Sequence, residues 1–364
     1  MVFLLAVVLL TACSGQTGSR STAGPSGSAG SPPSVSAAAP ATSTSPSASA
    51  TTMTVLPGEP WIVYRGVIGG GVRIRLMRLD GADDHEVAPS LPLPPDGIQF
   101  SPDWSPDGMR IAFGADDAKG DGTRDLWVAH VDKADAVRVF DCVRPCDQIG
   151  APAWSPDGGS IAYTTWEIVG SNVVRQRIDS IDLATGVSKT LATATGAVWL
   201  DEARWAFDGR SLAVELSQWT DTSINNTRTA SAIGVVDLTA AHPEARRLTD
   251  WTLWATYPDW HPTKDLIVFS TRPWTALDLG PSNLYTIGLD GSKMAPLTDF
   301  TAGQSRAVQP SWTPDGKGII FTKVEGTGFG NPTMAVIDAD GKGLRSAIGA
   351  VWHVGTHPRL RPQP

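Results

Sequence analysis

The chain has 364 residues, 41% hydrophobic and 18% charged, which is enough to bury a large core, and its formal net charge is −8. Residues 1–55 hold Arg20 as their single basic residue and no acidic one, so residues 56–364 carry 28 basic against 37 acidic groups. A body that acidic has no bulk attraction for nucleic acid or anionic lipid, and the longest apolar run, Val2 to Leu10, is about half of what a spanning helix needs.

That run leads into Leu10-Thr11-Ala12-Cys13. Small residues before a cysteine, directly after a signal-type core, resemble the lipobox of bacterial lipoproteins. The resemblance implies a signal peptide over residues 1–12 and lipidation of Cys13. No Lys or Arg precedes the apolar core, as a signal n-region requires, so the true start is expected upstream of Met1. Residues 14–58 are almost entirely Ser, Thr, Ala, Gly and Pro. They lack the apolar surface that offsets chain entropy, so a disordered linker is expected over 13–58. It spans roughly 35–40 Å end to end and acts as a tether for a globular part at 59–364. Apart from Cys13 the cysteines are Cys142 and Cys146. In an exported chain a local disulfide is the simplest reading; free thiols are the alternative, and a metal site lacks further His or Cys nearby in sequence.

The globular part is a repeat. Pro102-Asp103-Trp104-Ser105-Pro106-Asp107-Gly108 returns around Trp154, Trp205, Trp260 and Trp312, at spacings of 50, 51, 55 and 52 residues, and a worn copy places Leu360 at the Trp position. Ser-Pro-Asp-Gly suits a type I turn, joining an innermost strand that ends at the Trp to a second strand such as Ile111–Phe113. Third strands follow (Asp125–Val131, Asn283–Leu289), then a turn and a fourth. Lys264 stands where the turn wants Gly and costs about 1 kcal/mol if left-handed. Trp61–Arg65 reads as a second strand with no innermost strand before it, and 356–364 as an innermost strand with nothing after it. Joined, they complete a ring. The expected fold is all-β: a six-bladed β-propeller of four-stranded blades, closed by pairing of the C-terminal strand with the N-terminal blade.

On these motifs, residues 60–364 resemble the TolB-like propellers, which belong with the broader WD-type β-propellers. Where TolB carries an α/β domain ahead of its propeller, this chain has the lipobox and linker, so a place in the Tol–Pal machine is not implied. The family also includes oligogalacturonate lyases that hold a metal through channel histidines. His353 and His357 are too few for that, and neither metal nor cofactor is expected. No Gly-x-Ser-x-Gly elbow occurs.

In such blades the short Ser-Pro-Asp-Gly turns share one face of the disc, and the other carries long connections, here Thr165–Arg177, Gln218–Ser231, Thr249–Tyr257 and Arg272–Ser282. Of fourteen Trp, seven map to that loop face: Trp166, Trp199, Trp219, Trp251, Trp254, Trp274 and Trp352. They serve either as padding between loops or as a ligand or partner surface. A second candidate is the position three before each repeat Trp, at the channel mouth: Ser101, Ala151, Glu202, Tyr257, Gln309 and His357. Glu202, Tyr257, Gln309 and His357 can make strong polar contacts there; solvated rim residues are the plain alternative. Asp116, Asp117, Asp121 and Asp125 form an acidic loop without EF-hand spacing. The expected function is a monomeric, lipid-anchored, extracytoplasmic scaffold that binds an envelope protein or cell-wall glycan through the Trp-rich face without catalysis. The alternative is a channel-site lyase or hydrolase working near His357 and Glu202.

Overall fold

The computed structural model describes residues 59–94, 96–116, 122–271, 281–301, 305–326, 332–348 and 355–362. Its strands form six antiparallel sheets. From axis to rim, blade 1 is Gln99–Trp104, Arg110–Asp116, Arg124–His130 and Ala136–Phe140. Blade 2 has its innermost strand in two pieces, Cys146–Ile149 and Ala153–Trp154, followed by Ser160–Val169, Asn172–Asp182 and Ser188–Thr193. Blade 3 is Val198–Trp205, Ser211–Trp219, Arg228–Asp237 and Ala245–Arg247. Blade 4 is Ala255–Trp260, Leu266–Thr271, Leu284–Gly288 and Ala295–Pro296. Blade 5 is Ser305–Trp312, Gly318–Glu325, Pro332–Asp338 and Arg345–Ser346. Blade 6 takes Gly355–Leu360 from one end of the chain and Trp61–Ile68, Gly71–Arg78 and His85–Glu86 from the other. Ile62 pairs with Leu360 and Gly66 with Gly355, so the ring closes as the out-of-phase termini require. The protein is a six-bladed β-propeller.

Each sheet packs both faces against neighbours, so its strands are apolar on both sides. The seam between blades 6 and 1 joins Trp61, Val63, Ile74 and Leu76 to Trp104, Ile111, Phe113 and Ala115, all buried. Two of the repeat tryptophans add a polar staple to the apolar contact, while the indole N–H of Trp154, Trp260 and Trp312 is buried without an acceptor among the described residues. Trp104 Nε1 donates to Arg359 O at 3.1 Å and Trp205 Nε1 to Ala153 O at 3.2 Å, each reaching the residue before the Trp position one blade back. The Ser-Pro-Asp-Gly turns close as expected: Gly108 N donates to Ser105 O at 2.8 Å with Gly108 at φ +65°, a conformation glycine enters without steric cost.

Three expectations need correction. Lys264 is not left-handed, so the strain foreseen there is absent. Residues 165–177 are not a loop. They extend blade 2 as a long hairpin whose tip bonds to the blade 3 connection through Val173 N to Thr222 O (2.8 Å) and Ile224 N to Ser171 O (2.8 Å). Consequently Trp166, Trp199 and Trp219 stand on strands rather than in loops. Cys142 and Cys146 are joined by a disulfide with Cα atoms 5.3 Å apart, pinning the connection between blades 1 and 2. Among the described residues no helix is long and apolar enough to cross a membrane.

Candidate functional site

The channel is shaped by a repeated backbone irregularity. In blades 1, 3, 4 and 5 the innermost strand slips register against the second strand, between Phe100 and Asp103, Asp201 and Arg204, Thr256 and Asp259, and Val308 and Ser311. Two residues there oppose one, which is a β-bulge. Its first residue is left-handed: Ser101 (φ 47°), Glu202 (49°), Tyr257 (53°) and Gln309 (56°), with His357 (54°) at the matching place in blade 6. These are the positions three before the repeat Trp. Each such non-glycine residue costs about 1 kcal/mol or more. Proline follows Ser101, Tyr257, Gln309 and His357, and at a bulge its missing N–H leaves no ladder bond unmade. The bulge re-aims these side chains toward the axis. Ala151 alone escapes, because the blade 2 inner strand is interrupted there.

Glu202, Tyr257, Gln309 and His357 line one cavity with Arg204, Ser311 and Arg359. The free space between them has room for roughly one water molecule. Gln309 Nε2 lies 3.0 Å from His357 Nε2, and Gln309 Oε1 accepts from His357 N and Thr322 Oγ1 at 3.1 Å each. That amide orientation makes His357 Nε2 an acceptor and puts the ring proton on Nδ1, 3.4 Å from Thr356 Oγ1. Burial, with Arg65, Arg204 and Arg359 nearby, holds His357 well below its usual pKa, so the ring is neutral. Tyr257 meets it edge to face at 5.9 Å.

Toward the short turns, the residue before each Trp position reads Asp103, Ala153, Arg204, Asp259, Ser311 and Arg359. Arg359 Nη1 reaches Asp103 Oδ1 (3.3 Å), Asp259 Oδ1 (3.2 Å) and Ser311 Oγ (3.3 Å), tying blade 6 to blades 1, 4 and 5. Arg204 lies 3.9 Å from Asp259 and 3.8 Å from Glu202. The spare carboxylate oxygens are used as well: Asp103 accepts from Trp154 N (2.8 Å) and Asp259 from Trp312 N (2.7 Å). This layer is a matched plug of two acids and two bases, and it was missed in the sequence although the same counting from the Trp finds it.

Around Glu202 the balance differs. Asp201, Glu202 and Glu215 converge. Glu215 pairs with Arg228 and accepts from Tyr257 N (3.2 Å), and Asp201 Oδ1 accepts from Thr164 Oγ1 (3.1 Å) and Glu202 N (2.9 Å). The Glu202 carboxyl takes no hydrogen bond among the described residues. Burial and the Asp201 charge raise Glu202 to about 8; burial and Glu215 raise Asp201 to about 6.

Of the loop-face tryptophans, Trp199 is buried and Trp166, Trp219, Trp251 and Trp254 are half-buried; Trp274 and Trp352 lie outside the described residues. Several of them already have a partner against the ring. Trp199 and Trp219 lie against each other at 4.7 Å, Arg247 sits 5.4 Å over Trp251, and Trp166 packs on Gly150, where an added Cβ would meet it at 2.6 Å. Asp116 and Asp125 are engaged by Arg124 (3.0 Å) and Arg138 (3.0 Å); Asp117, Asp121 and His353 lie outside the described residues. No group of metal-ligating side chains occurs among the described residues.

A six-bladed ring with terminal closure and a polar, nearly filled channel defines the class. Residues 119–346, well over half the chain, match the TolB beta propeller domain, and the chain belongs to that family. Among solved structures it is similar to TolB from Acinetobacter baumannii, at 19% identity and TM-score 0.60 over 84% of this chain and 67% of that one. It is also similar to a puromycin-hydrolyzing peptidase of Mycobacterium tuberculosis (16%, 0.51, 80% of this chain and 47% of that) and to a puromycin hydrolase (15%, 0.51, 80% and 45%). The chain spans less than half the length of the latter two, and at such identities the likeness is one of fold. No curated protein matches the chain in sequence.

Proposed function

We propose that this chain is a monomeric, non-catalytic binding module, tethered through Cys13 and the 13–58 linker on the outer side of a bacterial membrane, whose loop face receives an envelope protein. The carrying observation is the channel itself: His357, Gln309 and Tyr257 occupy one another, and the remaining space suits roughly one water, too little for a substrate to enter. Recognition therefore falls to the face around the mouth. A protein is favoured over a glycan because sugar stacking needs open ring faces, and one face each of Trp199, Trp219 and Trp251 is already taken by another ring or a guanidinium.

The test is cross-linked capture by the full chain of envelope proteins, against purified cell-wall fragments. Protein capture that weakens when Trp251 and Trp254 are both changed to Ser supports the reading; retention of cell-wall fragments alone overturns it. Cys13→Ala is expected to release the chain from membranes, and unchanged retention counts against the anchor. One observation favours channel catalysis as a second reading: Glu202 keeps its proton near neutral pH beside a neutral His357. Polysaccharide cleavage abolished by Glu202→Gln would establish it.

A further inference from the structure

Arg204, Arg228 and Arg359 around the channel each lie within ion-pair distance of a carboxylate. Arg65 does not. It stands on the second strand of blade 6, cross-strand from Thr356 on one side and Ile74 on the other, in the half that leads to the loop face. Its guanidinium makes no hydrogen bond or ion pair among the described residues, and its Nε is buried without an acceptor. A second orphan donor lies on the same seam. Gln99 accepts from Ile74 N at 2.7 Å, and its own fully buried Nε2 meets no acceptor. A buried donor left unmade costs about 1–3 kcal/mol, and more when charged. The ring also sets blade 3, with Glu202, opposite blade 6.

We propose that the channel mouth binds a carboxylate presented by a protein partner, gripped in two-pronged fashion by the Arg65 guanidinium. The proposal rests on the protein-binding reading above and gives it a chemistry. Guanidinium geometry matches planar carboxylates in pairs of parallel hydrogen bonds. A phosphate dianion would bring a second negative charge toward Asp201 and Glu215. Glu202, faced by Asp201, Arg204, Glu215, Arg359, Tyr257 and Arg65, lines the same channel, and burial with the Asp201 charge raises it, so its charge is the one that changes as pH rises.

The experiment titrates three probes onto the full chain: N-acetyl-triglycine with a free carboxylate, its C-terminal amide, and an N-acetyl-glutamate amide, followed by the Nε–H resonance of Arg65. Saturable binding of either carboxylate, at least tenfold tighter than the amide, is expected. The better of the two identifies a chain terminus or an acidic side chain as the source. Arg65→Gln should abolish the preference and Arg65→Lys retain part of it, with unchanged melting temperatures showing that both fold. The preference should weaken from pH 6 to pH 9 as Glu202 loses its proton. Equal binding of amide and carboxylate, no saturable binding, tighter binding of glucuronate, or indifference to Arg65→Gln overturns the proposal. Partner capture that survives Arg65→Gln leaves the binding reading standing while this one falls. Carboxylate binding without any captured protein does the reverse.

Discussion

The two halves of the channel are built from the same innermost strands and differ in how completely their polar groups are matched. Toward the short turns, Asp103, Arg204, Asp259 and Arg359 interlock across the axis, and the carboxylates take backbone N–H groups with their remaining oxygens. Toward the loops, among the described residues, Arg65 has no ion pair, Glu202 has no hydrogen bond and only a 3.8 Å approach to Arg204, and three carboxyls crowd together. The match in the other half is itself short of one bond, since Arg204 Nε meets no acceptor there. A propeller could satisfy both ends alike. That it closes one and leaves the other less fully matched separates the part that holds the ring together from the part we propose to meet a partner.

The largest effects should come from the matched half. Trp312→Ala removes a buried ring from the seam between blades 4 and 5, and a loss of roughly 3–5 kcal/mol is expected in urea unfolding. Arg359→Met strands Asp103 and Asp259 in the interior and should cost a similar 3–5 kcal/mol. If it instead behaves like Arg65→Met, the contrast between the halves collapses. Replacing Cys142 and Cys146 together by Ser releases a five-residue loop and should cost about 2 kcal/mol by the same measurement.

The unmatched half should show itself through pH. Glu202 is raised in the folded state from 4.5 to about 8, so the folded chain holds a proton that the unfolded chain has released. Stability is therefore fully present below pH 4.5 and falls as pH rises toward 8. Glu202→Gln should flatten that slope, with a gain of about 1–2 kcal/mol at pH 8 and little change at pH 4.5. An unaltered slope would mean that Asp201 sets it. Arg65→Met breaks no pair among the described residues and removes a buried donor without an acceptor, so it should stabilise rather than destabilise, by about 1–3 kcal/mol.

Much of this was readable in the chain. The Trp spacing and the Ser-Pro-Asp-Gly turns carry blade number and closure because turn chemistry is local and repeats. Counting back three residues from each Trp found the ring of Glu202, Tyr257, Gln309 and His357. The bulge beneath it was not visible: none of these residue types favours the left-handed conformation, and a following proline reads as extended chain. Residues 165–177 read as a long connection between second and third strands, yet they continue both strands as a hairpin supported by a neighbouring blade. Arg65, Gln99 and Glu215 lie off the position counted from the Trp, so only the folded arrangement brings them to the mouth.

The shared blade has a consequence for how the protein matures. Strand Gly355–Leu360 emerges after the other described strands of the ring, yet Trp61–Ile68, the first of them, needs it as a neighbour. Until it arrives, Asp103 and Asp259 wait without Arg359, and Trp104 lacks its acceptor. Biogenesis thus has a built-in checkpoint: five blades can assemble in passing, but the circle locks only once the strand that completes the shared blade has been delivered.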